Sequence, residues 1–173
     1  GESELKKPTH ALVCFTRLET GRKLCKLASD IVLSKTEKSS ITLLHFIANM
    51  EAVLKDEPIE VLQHKLLAYL MPKGEKSKIT VRLFIREYAD LVSEIRKMTD
   101  EQGSNLLLIG LGQDEIGLRE ASRYMQQKND PAITDAAVLA QFGEKEASTL
   151  KQMSSLLDRN RVPTGIFLDN GLE

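Results

Sequence analysis

The stretch Ser104–Gly117, "SNLLLIGLGQDEIG", decides how this chain is read. Leu106–Ile109 form an apolar run with no alternation, which suits a strand covered on both faces. Gly110 and Gly112 follow with one residue between them, and Gly117 closes the polar segment after them. In α/β proteins, a buried strand running into glycines and then a helix often binds phosphate, because helix N–H groups and the helix dipole attract anions there. Two readings compete: a nucleotide loop, or a tight turn where the strand ends.

Working outward, "HALVCF" (His10–Phe15) is a second continuous apolar run, and residues 1–9 before it are polar and expected to be loose. Leu24, Leu27, Ala28, Ile31 and Val32 recur at helical spacing, with Glu19 and Thr20 at the start. "SSITLLHFI" predicts a strand after the polar turn "KTEKSS". A helix opened by Pro58 presents Ile59, Leu62, Leu66, Tyr69 and Leu70, and Pro72 and Gly74 end it. "KITVRLFIRE" alternates, with Ile79, Val81, Leu83 and Ile85 on one side and Thr80, Arg82, Phe84 and Arg86 on the other. Arginines on one side predict a strand at a sheet edge.

The next helix carries Tyr88, Leu91, Val92, Ile95 and Met98, with Gly103 as its stop. After the glycine stretch, Leu118, Ala121, Tyr124 and Met125 predict a short helix. Residues 128–144 have no assignment, since "AITDAAVLAQF" suits a strand or a helix equally. A last helix is expected over 145–160, and "VPTGIFLD" (162–169) closes the chain as a strand. Strands and helices therefore alternate, which predicts a single α/β domain over residues 10–173 with a doubly wound, mostly parallel five-stranded sheet and helices on both faces. The fully apolar first and fourth strands should be central neighbours. The chain reverses between them, and the crevice at such a switch point is where ligands of these folds bind.

The bulk numbers bound the function. The chain has 173 residues, 42% hydrophobic and 28% charged, and a formal net charge of −1, the profile of a soluble globular domain. Basic and acidic residues interleave, as in "RKMTDEQ", so no nucleic-acid partner is expected. No apolar run approaches the roughly 20 residues that span a bilayer, and "GESELKKPTH" is unlike a signal peptide. The opening Gly in place of Met fits a piece of a longer protein. Cys14 and Cys25, outside any C-x-x-C, read as buried reduced thiols. His10, His45 and His64 are too scattered for a metal site. His45, inside an apolar strand, is the one expected to be buried and perturbed.

The ordered pieces "ALVCF", "ETGRKLCKLASDIV", "ITLLHFI", "NLLLIGLG" and "RVPTGIFLDNGLE" together resemble the universal stress protein fold, a Rossmann-like α/β domain related to adenine-nucleotide hydrolase-like folds. The last piece resembles the C-terminal cytosolic domains of bacterial and plant cation/proton (Na+/H+) antiporters. That resemblance implies a non-catalytic regulatory domain at the cytoplasmic face of the inner membrane, partnered by the membrane-embedded antiporter domain of the same chain and by a twin copy. Stress-protein-type domains commonly dimerise through the final strand, so Val162, Thr164, Ile166 and Leu168 are the candidate dimer edge. His45 becomes a candidate pH sensor in such a setting.

The family's nucleotide signature is broken here. ATP-binding members carry an Asp just after the first strand, where this chain has Thr16 and Arg17. Their fourth-strand loop reads G-x2-G-x9-G-[ST]; here Gly110 is followed three places on by Gln113, and ten places later by Arg123. Asp114 and Glu115 would also repel a polyphosphate unless Mg²⁺ intervened. The expectation is no cofactor. Thr16, Arg17, Gly110 and Gly112 are the positions that an ATP- or AMP-type nucleotide would touch. The alternative is a stand-alone nucleotide-binding universal stress protein. An enzyme reading has no nucleophile–base pair, G-x-S-x-G elbow or phosphate-binding G-x-x-x-x-G-K-[ST] loop to support it.

Overall fold

The computed structural model describes residues 8–33, 38–72, 79–87, 89–112, 136–141 and 163–169, together with Arg119 and Arg123. The elements are β1 (His10–Phe15), α1 (Leu18–Leu33), β2 (Ser40–Ile47), α2 (Met50–Leu54) and α3 (Ile59–Leu70). They continue as β3 (Thr80–Glu87), α4 (Leu91–Gln102), β4 (Leu106–Gly112), β5 (Ala136–Gln141) and β6 (Pro163–Asp169). The strands form one sheet in the order β3-β2-β1-β4-β6-β5, every pairing parallel. This is a doubly wound α/β fold, with β1 and β4 adjacent at its centre as their unbroken apolar runs require.

Side chains of successive strand residues enter two core layers. Ala11, Val13 and Phe15 face α1 and α3, where they meet Leu24, Leu27, Leu66 and Leu70. Leu12 and Cys14 face the opposite way, onto Leu91, Ile95 and Met98 of α4. Cys14 and Cys25 are free and buried, and they belong to different layers. Burial raises both thiol pKa values, that of Cys25 to about 12, so neither is a ready nucleophile.

The expected edge strand is at an edge. In β3, Leu83 and Ile85 are buried while Thr80, Arg82 and Arg86 are exposed. Two of its carbonyls are taken by side chains: Gln63 Nε2 donates to Leu83 O at 3.0 Å, and Arg86 Nη1 donates to Ile85 O at 3.0 Å. Such side-chain cover blunts an edge against pairing with another chain. α4 is capped at both ends by local chemistry. Asp90 accepts from Ser93 N at 3.2 Å, and Gly103 takes the left-handed conformation at φ 61°, which glycine adopts without a Cβ penalty.

The final strand departs from expectation. β6 lies between β4 and β5, so the dimer edge placed on Val162, Thr164, Ile166 and Leu168 is not a sheet edge. Thr164 and Ile166 are 0% exposed, Leu168 pairs with Leu111 on one side and Gln141 on the other, and Val162 lies outside the described residues. The reason is the sixth strand, β5, which forms within the 128–144 stretch that hydropathy left undecided and covers the flank of β6. Ile166 joins one core layer and Phe167 the other. The other differences are smaller. α2 forms without a buried residue, started by Asn49 Oδ1 accepting from Ala52 N at 3.0 Å. Tyr69, expected on the apolar face, is 38% exposed and sits under Arg22 at 5.1 Å. Of the helix predicted after Gly117 only Arg119 and Arg123 are described, and both are helical, whereas the helix predicted over 145–160 and Tyr88 lie outside the described residues.

Residues 8–9, expected to be loose, are held. Asn105 Oδ1 accepts from His10 N at 2.8 Å, Asn105 Nδ2 donates to Pro8 O at 3.0 Å, and Asn105 N donates to His10 O at 2.9 Å. Thr9 N donates to Ser39 Oγ at 2.9 Å, and Thr9 is 2% exposed. One side chain thus fastens the start of β1 to the start of β4. Asn105→Ala strands a backbone N–H and a carbonyl, and is expected to cost about 1–3 kcal/mol in urea unfolding. Asn105→Asp, which keeps an acceptor for His10 N, should cost less.

Candidate functional site

The crevice of a doubly wound sheet opens at the carboxyl ends of the strands flanking the switch point, here β1 and β4. Sequence reasoning placed four residues at this point, and the fold brings them to the same end of these two neighbouring strands. Thr16 and Arg17 form the bend between β1 and α1, Thr16 half-buried and Arg17 exposed. Gly110 and Gly112 lie in the last turns of the β4 backbone, paired with Phe167 and Asp169 of β6. Residues 113–118, the rest of the glycine loop, lie outside the described residues.

What surrounds Gly110 decides its role. A Cβ on Gly110 would stand 2.5 Å from Thr20 Cγ2 and 2.8 Å from Leu24 Cδ1. The volume that a larger residue would need is already occupied by the first turns of α1. Gly110 is therefore a close-packing glycine that lets a helix lie against a strand, one of the known uses of glycine at this point of such folds. Gly21 serves the same purpose from the helix side, since a Cβ there would stand 2.6 Å from the Phe15 ring. A glycine inside a helix costs roughly 1 kcal/mol relative to alanine, so Gly21 within "ETGRKL" was the signal in the sequence for a close approach, and hydropathy passes over it.

Phe15 also stacks on His45, with ring centroids 5.0 Å apart and planes at 20°. The corner where α1 meets β1 and β2 is thus filled by an aromatic–imidazole pair and Gly21, beside the wall that Thr20 and Gly110 form between α1 and β4. His45 is 7% exposed, and its Nδ1 is buried with no hydrogen-bond partner. Desolvation lowers its pKa below the ordinary 6.5, opposed in part by a backbone hydrogen bond at Phe15. The imidazole is therefore neutral at pH 7.

Arg17 is the cation nearest the switch point in sequence. Its Nε lies 4.0 Å from Glu19 Oε2, with both side chains about half exposed at 48% and 53%, so the pair adds little to stability. An Arg already facing a carboxylate is a poor phosphate clamp. At Gly110 the described part of the crevice gives a phosphate no cradle, because the space beside it holds Thr20 and Leu24. Among the described residues no three His, Cys, Asp or Glu side chains are grouped to hold a metal ion, and no helix is long and apolar enough to cross a membrane. In comparisons with known proteins, no family model, no curated protein and no solved structure matches this chain.

Proposed function

We propose that this domain is a non-catalytic regulatory module that acts through protein contact, attached to a monovalent cation/proton antiporter at its cytoplasmic face. The observation that carries the non-catalytic part is the filled space at Gly110. The glycine that looks like half of a phosphate loop is committed to packing α1 on the sheet. The attachment rests on the resemblance of "RVPTGIFLDNGLE" and the strands before it to antiporter C-terminal domains. Regulation then requires a binding free-energy difference between transporter states, supplied by a face of this domain against the transporter or a twin copy. The sheet edges are β3, blunted by Gln63 and Arg86, and β5, with β6 enclosed between its neighbours.

The test is titration calorimetry of the 173-residue chain with ATP, AMP and cyclic dinucleotides, each with Mg²⁺. The expected result is no heat above dilution. Micromolar binding, about −8 kcal/mol, that weakens in Arg17→Ala would favour the alternative, a nucleotide-binding universal stress protein. Attachment is tested separately, by deleting the domain from the full-length antiporter and measuring cation/proton exchange. Unaltered exchange would remove the regulatory role.

A further inference from the structure

Among the described residues, His45 is the buried histidine, and its Nδ1 takes no part in the hydrogen bonding of the fold. It lies on the α1/α3 face of the sheet, paired in register with Phe15 of β1 and Ile85 of β3. Its imidazole stacks on the Phe15 ring, and that ring fills the space left by Gly21 in the first turns of α1. A movement of His45 therefore has a short mechanical path: imidazole, then Phe15, then the seat of α1.

Among the described residues, the charged groups on the surrounding elements offer His45 no counter-charge. Ahead of and within α1, Arg17 faces Glu19, Arg22 lies over Tyr69, and Lys23 is half-buried and engaged in an interaction of its own. On the α2–α3 side, Glu57 holds Lys65 at 2.6 Å, and Glu51, Glu60 and His64 are exposed. On β3, Arg86 lies over Phe84, and Glu87 accepts from Met50 N at 2.8 Å. β1 itself contributes no charged side chain near its carboxyl end. The backbone hydrogen bond at Phe15 would still hold one side of the protonated ring, but a proton on Nδ1 would have no acceptor where the ring now sits, and a buried cation left half satisfied is driven toward water.

We propose that His45 is an acid-operated release for the corner where α1 meets β1 and β2, its protonation driving the imidazole out of the Phe15 stack and unseating the first turns of α1. The closed form keeps the ring neutral, whereas the open form takes a proton at the ordinary value of 6.5. Below that pH the open form binds more protons than the closed one, so acid favours opening until the lowered value of the closed form is reached. This device is independent of what the domain is attached to.

The test is hydrogen exchange under native conditions, followed from pH 7.5 to 5 and corrected for the intrinsic pH dependence of exchange. Amides of Gly21–Cys25 should show an opening constant that rises by about tenfold per pH unit below 6.5, while those of Ile95–Thr99 in α4 stay level. His45→Phe, which keeps a ring on Phe15 but cannot titrate, should abolish the rise. An unchanged rise in His45→Phe, or an equal rise in α4, would overturn the proposal. Should the variant fail to fold, the wild-type imidazole shifts decide the matter. While the corner is closed His45 should titrate only below its ordinary value, and an ordinary titration near 6.5 in the intact fold would overturn the proposal as well.

Discussion

Phe15→Ala is expected to cost the domain about 3–5 kcal/mol, the range for deleting a fully buried aromatic side chain. Phe15 is 1% exposed, and its ring meets α1 on one side and His45 on the other. Removing it empties a site that cannot collapse readily, because β1 is central and its backbone is hydrogen-bonded to β2 and β4. A loss of that size is a large fraction of the 5–15 kcal/mol available to a typical domain, so urea titration in the cold is the suitable measurement. The second arm is more specific. Gly21→Ala puts a Cβ 2.6 Å from the Phe15 ring and should destabilise the parent by about 1–3 kcal/mol as an overpacked site. In the Phe15→Ala background the same change should be nearly free, or favourable through the better helix propensity of alanine. Additive effects in that double-mutant cycle would mean that the ring is not what requires glycine there.

Gly110→Ala is expected to destabilise the domain by about 2–3 kcal/mol, toward the upper part of the overpacking range. Two atoms lie within 3 Å of the added Cβ, and they differ in how far they can give. Leu24 Cδ1 is the far end of a flexible side chain and can rotate away. Thr20 Cγ2 cannot, because it is attached directly to a β-branched Cβ whose χ1 is restricted in a helix. Thr20→Ser removes that methyl and keeps a hydroxyl, so it should recover most of the loss in a Gly110→Ala background. Equal losses with Thr and with Ser at position 20 would refute this account of Gly110. The same pair of variants bears on function. A phosphate-binding glycine would lose ligand and keep stability on mutation, whereas a packing glycine loses stability first.

Most of the fold was legible along the chain, for reasons visible in particular residues. β1 and β4 read as central because "HALVCF" and "NLLLIG" have no polar face, and a strand with no polar face has to be covered on both sides. β3 read as an edge because Arg82 and Arg86 cannot lie under a helix without partners. α4 read correctly at its end because Gly103 is the residue that tolerates a left-handed stop. α2 escaped notice because it buries nothing, and hydropathy has no purchase on a helix without an apolar face.

The candidate site was legible only as a place. Hydropathy located the switch point, and the broken glycine spacing argued against a nucleotide. Neither could show that α1 fills the crevice wall at Gly110 or that Phe15 and His45 close the adjoining corner. Those are contacts between residues 30 and 90 places apart, such as Phe15 with His45 and Thr20 with Gly110. No local pattern records them.

By itself the sequence determined the class of the fold, the parallel and central character of β1 and β4, and the exposed edge at β3. All three follow from which faces of an element are apolar, and that is a local property of side chains. Only the tertiary structure decided the lateral place of β6, the presence of β5 beside it, and the meaning of Gly21, Gly110 and His45. Lateral order in a sheet is set by backbone hydrogen bonds, which every residue except proline can make and which leave no mark in the side-chain pattern. A glycine, likewise, says only that a Cβ is absent; what occupies the space, a phosphate or a threonine methyl, is settled by the packing of distant residues.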